Sequence, residues 1–145
     1  MLPVAKSQIF DAKRVFAGKI LKAKSIEAML MPEIRISSRH QFSPKVDEVD
    51  GVEARKVELA YSLGWGALIK TKFGPAFFKE GHGDGAQNYM IFFKNSQKGM
   101  ILLTNSDNGE IAFRLLLETI LGDTVTPWEW EGYTPELIEE SRKHP

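Results

Sequence analysis

Apolar positions change period twice along this chain, and the changes divide it into blocks. Ile9, Phe10, Ala12, Val15, Phe16, Ile20 and Leu21 recur at three- and four-residue steps with lysine and arginine opposite, the stripe of an amphipathic helix. Ser7 is placed to cap its start, and Gly18 weakens its middle. A second helix is expected from Ser25 through Ile26, Met29 and Leu30, ended by Pro32, because the residue before a proline is pushed out of the α region. Ile34 and Ile36 then alternate with charge as a short extended piece. Residues 37–57 are polar, with Pro44, Gly51 and a run of acids, and read as an exposed loop.

From Glu58 the period becomes that of strands. Leu59, Tyr61 and Leu63 alternate before Gly64-Trp65-Gly66, and Lys72-Phe73-Gly74-Pro75 is a turn. Ala76-Phe77-Phe78 opens a strand, and 88–94 and 100–104 make a hairpin around Asn95–Gly99. Asn105–Gly109 breaks the sheet. Residues 110–121 read as a helix apolar over most of its circumference, expected to pack on the sheet and to stop at Gly122. Thr134-Pro135 is an N-cap followed by proline at the first helical position, the start of a short closing helix. The expected fold is α+β: N-terminal helices, an antiparallel sheet of about three strands, and a packing C-terminal helix. One domain spans 1–145, as a helical segment (1–36), polar loop (37–57), strands and packing helix (58–122) and tail (123–145).

Composition narrows the chemistry. The 145 residues carry nineteen basic and nineteen acidic side chains, a balance that argues against a nucleic-acid partner or a polybasic membrane anchor. There is no cysteine, which removes disulfides, zinc–thiolate sites and thiol catalysis. Apolar runs of four or five residues are far too short to span a membrane. No signal peptide is recognisable, so the default expectation is cytoplasmic. The three histidines are scattered without paired spacing, so no metal site and no cofactor are expected.

One stretch concentrates polar chemistry at the mouth of a β-prone run: Lys79-Glu80-Gly81-His82-Gly83-Asp84-Gly85. Glycines at a strand edge let a ligand approach backbone amides, and an imidazole or ammonium adds attraction for a carbonyl or carboxylate. The competing reading is a glycine bulge with His82 merely exposed. Asp84 is a possible base, but satisfying loop amides is its more ordinary use. Trp65, Trp128 and Trp130 are read as packing residues rather than ligand-stacking surfaces. No serine has lysine three positions later, so the Ser-x-x-Lys nucleophile of acyl-transfer enzymes is absent from these residues. Ser106-Asp107-Asn108 spells a second motif of some such enzymes, but follows the basic strand where it should precede it, and reads as a local turn.

Taken in order, Leu63-Gly64-Trp65-Gly66, the Phe78–Gly85 segment and Gly99–Asn105 resemble the C-terminal part of the β-lactamase-related serine hydrolases and penicillin-binding-protein-like enzymes. The Met-Leu-x-Pro pattern at Met29–Pro32 fits the same part. That resemblance implies a partial β-lactamase-like fold and, in the complete family, acyl transfer on β-lactams, esters or peptides. It implies two registers for the third, basic motif. In the preferred one His82 supports substrate and transition state at the cleft wall; in the other, Lys79 and Gly81 fill the Lys-x-Gly outline. Gly83, Asp84 and Gly85 would then line the substrate. The Ser-x-x-Lys and Tyr-x-Asn half has no counterpart here, so the chain is expected to be catalytically incomplete alone, meeting an acyl substrate only when that half is supplied. The strand at 100–104, interior in that family, would have a bare edge, which implies a homo-oligomer or a partner fragment. The alternative is a non-catalytic ligand- or protein-binding module that keeps the cleft-wall strand.

Overall fold

In the computed structural model, residues 14, 17–41, 51–122 and 125–143 are described. The Ser7 cap, most of the stripe from Ile9 to Phe16, and residues 42–50 of the polar loop lie outside them. The elements are α1 (Ala23–Leu30), β1 (Ile34–Arg35), α2 (Val52–Lys56), β2 (Leu59–Tyr61), β3 (Gly66–Leu68), β4 (Ala76–Gly83), β5 (Ala86–Phe93), β6 (Lys98–Leu103), a 3-10 turn (Gly109–Ala112), α3 (Phe113–Leu121), α4 (Trp128–Glu131) and α5 (Pro135–Lys143).

The fold is α+β around an antiparallel sheet, but the sheet has six strands rather than about three. Each pairs with its neighbour in the chain, in the order β1-β2-β3-β4-β5-β6. The three additional strands are two or three residues long, and pairing with longer neighbours makes strands of them. The first helix does not run on to Leu21: Gly18 takes a positive φ of 68° and residues 17–21 form turns and bends. The polar loop also contains structure, because Ala54 of α2 is fully buried. Met31 is extended (φ −68°, ψ 128°) ahead of Pro32, as the proline requires. Gly122 ends α3 at φ 73°, and the Thr134 hydroxyl accepts from Leu137 N–H at 3.4 Å at the start of α5.

Strand alternation sorts the core into two layers. Leu59, Leu68, Phe78, Tyr89, Ile91 and Phe93 face α3, α4 and Tyr133 on one side of the sheet. Ala60, Ala67 and Phe77 face Leu30 and the rest of α1 on the other. α3 buries Phe113 and Leu117 and leaves Leu115, Leu116 and Ile120 exposed, as is Ile111 in the 3-10 turn before it. The helix thus packs on the sheet as expected, through the face that carries Phe113 and Leu117. The tryptophans at 128 and 130 are buried packing residues.

Two features bear on function. First, β4 pairs with β3 only over Ala76–Phe78, whereas its pairing with β5 continues to Gly83. Among the described residues, Lys79–Gly83 thus has a strand on one side alone. Second, among the described residues β6 pairs only with β5 and forms one edge of the sheet.

Candidate functional site

The outer half of β4 projects its side chains alternately to the two faces of the sheet. Glu80 and His82 lie opposite Tyr89 and Gln87 of β5, on the face covered by α3 and α4. Lys79, Gly81 and Gly83 belong to the other face, so the two registers of the basic motif point to opposite sides of one strand. Asp84-Gly85 is the two-residue turn of the β4–β5 hairpin, with only Gly85 at positive φ (70°). Neither Gly81 nor Gly83 has positive φ, and a Cβ on either would meet nothing within 4 Å. Local backbone geometry and packing therefore do not demand glycine there.

The hairpin tip is tied down by the Ser-Asp-Asn segment. Asp107 Oδ1 accepts from Gly85 N–H at 2.6 Å, and Gln87 bridges Asp107 O (2.8 Å) to Glu110 N–H (2.9 Å). Ser106 Oγ accepts from Asn108 N–H at 3.1 Å. The motif is a strand-to-helix turn here, and the loop amide of Gly85 is satisfied by Asp107 rather than Asp84.

His82 is the exposed end of a largely buried polar cluster. Its Nε2 lies 2.6 Å from the Tyr133 hydroxyl, which donates to Glu80 Oε2, also at 2.6 Å. The imidazole stacks on the Tyr133 ring, with centroids 5.9 Å apart and planes at 25°. Glu80 Oε2 and Glu110 Oε2 flank the two ring nitrogens at 3.8 Å each. Deeper in, Tyr89 donates to Glu131 Oε1 at 3.3 Å. Glu131 Oε2 is buried with no hydrogen bond of good geometry, so the neighbouring Glu80 acts on it chiefly as a charge. Burial first, and that charge second, hold Glu131 well above the usual carboxylate range. The same two causes push the Tyr133 hydroxyl far up, and burial followed by the Glu131 and Glu80 charges pushes up Tyr89.

Sequence reasoning singled out His82 but not Glu80, Glu110, Glu131 or Tyr133. Glu80 carried a usable signal, being two residues from His82 and so on the same strand face. Tyr133 lies 51 positions further on, with no periodic cue linking it to the strand.

No protein-family model, curated protein or solved structure matches this chain. The reading of the site rests on its own residues. Among those described, no group of three or more His, Asp or Glu side chains could hold a metal ion, and no helix is long and apolar enough to cross a membrane.

Proposed function

We propose that this chain forms one wall of the acyl-binding cleft of a β-lactamase-like or penicillin-binding-protein-like serine hydrolase. A segment outside these 145 residues would supply the nucleophile. The observation that carries the reading is the one-sided strand at Lys79–Gly83, whose glycines 81 and 83 are demanded by nothing around them. Backbone groups on such an edge can accept an extended acyl or peptidyl substrate, and the missing Cβ atoms keep the approach clear. His82, at the end of this edge, adds a polar group beside the reacting carbonyl.

Intact-mass measurement after exposure to a penicillin or a fluorophosphonate tests this. The chain alone is expected to stay unmodified. Co-expressed with the N-terminal half of a penicillin-binding-protein-like hydrolase, it should support an adduct on that half, formed more slowly when His82 is replaced by Ala. An adduct on any serine of this chain, or no effect of His82 on the mixture, counts against the proposal.

A second reading, a non-catalytic binding module, draws on the hydrogen bond that already engages His82 with Tyr133. It predicts reversible retention of a ligand with no adduct in either experiment.

The outer edge of β6, which has no neighbouring strand among the described residues, bears on assembly under both readings. Unpaired N–H and C=O groups along Lys98–Leu103 recruit another strand. Light scattering coupled to gel filtration is expected to give a mass above the 16.3 kDa of one chain. A folded, strictly monomeric species would show that the edge is protected in another way.

A further inference from the structure

The geometry assigns Tyr133 as a positioning residue that holds His82 with its proton on Nε2 and leaves Nδ1 to exchange protons. This rests on the reading of His82 as the functional group of the site.

A phenol has one hydrogen to donate, yet the Tyr133 oxygen makes two short contacts, to Glu80 Oε2 and to His82 Nε2, both at 2.6 Å. The hydrogen goes to Glu80, because a carboxylate oxygen can only accept. Tyr133 then has lone pairs alone to offer His82, so Nε2 must be the donor. An unprotonated Nε2 would face the phenol's lone pairs with its own, which is repulsive at that distance. The imidazole that emerges is the Nε2–H form when neutral, with Nδ1 as the basic nitrogen, 3.8 Å from Glu110 Oε2.

Three further observations support a fixed geometry. Tyr133 is buried, and its ring packs edge-on against Phe113 and Tyr89 at 5.7 and 6.3 Å, so the phenol cannot swing freely. The stacked arrangement of the two rings restricts rotation of the imidazole about its own axis. Burial and the charge of Glu80 keep the hydroxyl protonated across the accessible pH range, so the donor count does not change. Residues 128–133 thereby become part of the site, through a side chain that touches the acting residue rather than the substrate.

Consequences follow for what His82 can do. With Nε2 occupied, a proton passes to or from a ligand through Nδ1. A ring protonated there lies between Glu80 and Glu110, both of which are mostly shielded from water, and the cationic form is the one that attracts a carboxylate or an oxyanion.

The test uses ¹⁵N-histidine-labelled full chain and long-range ¹H–¹⁵N correlation, with His82→Gln to assign the resonances. No substrate or nucleophile is present, so the outcome is separate from that of the acyl-transfer experiment. At a pH where the ring is neutral, the expected result is a proton on Nε2 of His82, its N–H resonance visible because it is protected from exchange, and a cross-peak from that proton to the Tyr133 ring. Tyr133→Phe keeps the aromatic packing and should abolish both the resonance and its cross-peak. A proton on Nδ1 in the unmodified protein overturns the assignment without recourse to any variant. So does an Nε2–H resonance that survives in Tyr133→Phe.

Discussion

Replacing Trp130 by Ala is expected to destabilise the protein by about 3–5 kcal/mol, the range for removing a large aromatic from a packed core. Trp130 is 3% exposed. Its ring meets Phe78 and Tyr61 edge-on at 6.3 and 6.2 Å, so it covers the sheet across β2 and β4, on either side of β3. It also ties a distant segment to that core: Nε1–H donates to Ser38 Oγ at 3.2 Å, and the backbone carbonyl accepts from Gln41 N–H at 2.9 Å. An alanine leaves a void of nearly indole size and orphans the Ser38 contact. Whole domains are stable by only about 5–15 kcal/mol, so the loss is a large part of the total. In urea the midpoint should fall by roughly 1–5 M, given slopes of about 1–3 kcal/mol per molar for small proteins. Trp130→Phe, which keeps most of the apolar volume but not the donor, should lie between. A midpoint for Trp130→Ala within about 0.3 M of the parent would show that α4 is not part of the cooperative core.

Glu131→Gln is expected to do the opposite, and in a pH-dependent way. Glu131 is held above its ordinary value of 4.5 in the folded state by burial and then by Glu80. Between that value and the folded one, the native state binds a proton that the unfolded chain has released. Stability from this group is therefore complete below about pH 4.5 and declines as pH rises through the folded value. Glutamine keeps the oxygen that accepts from Tyr89 and replaces the acidic hydrogen with an amide N–H directed toward Glu80. It does not titrate. At pH 8 the variant should be more stable than the parent by about 1–3 kcal/mol, the scale of an uncompensated buried polar group. At pH 4 the two should converge. Thermal unfolding across that interval measures both arms, and parallel pH profiles would show that Glu131 is already ionised in the native protein.

The long outer strands, the α3 helix, the closing helix and its Thr134 cap were legible because each has a periodic apolar face or a strong terminating residue. β2 and β3 were not legible as separate strands. Each is three residues long, and a period of two cannot establish itself over three positions. β1, expected as the extended piece at Ile34 and Ile36, is shorter still and has both residues exposed, so its register with Ala60 and Tyr61 is what makes a strand of it. The site was half legible. Glycines around a histidine are visible in any sequence, and they drew attention to His82. What surrounds that histidine was not, because Tyr133, Glu131 and Glu110 come from other elements brought over the same sheet face by packing. Among polar tail residues, Glu131 looks like one more solvated acid, and only its burial shows otherwise.

Strand order that repeats chain order has a kinetic meaning. Each pairing from β2 to β6 closes a short loop, so these hairpins can zip from local encounters at small entropic expense. The far-reaching closures belong to the stretch after α3: Tyr133 to His82, and Trp130 to Ser38, 92 positions back. On a ribosome that stretch emerges after every strand. Until it docks, Phe78 lacks the ring of Trp130, Tyr89 lacks those of Trp128 and Tyr133, and His82 has no phenol to hold it. Completion of the core and orientation of the histidine are therefore one late event, accomplished by the same few residues.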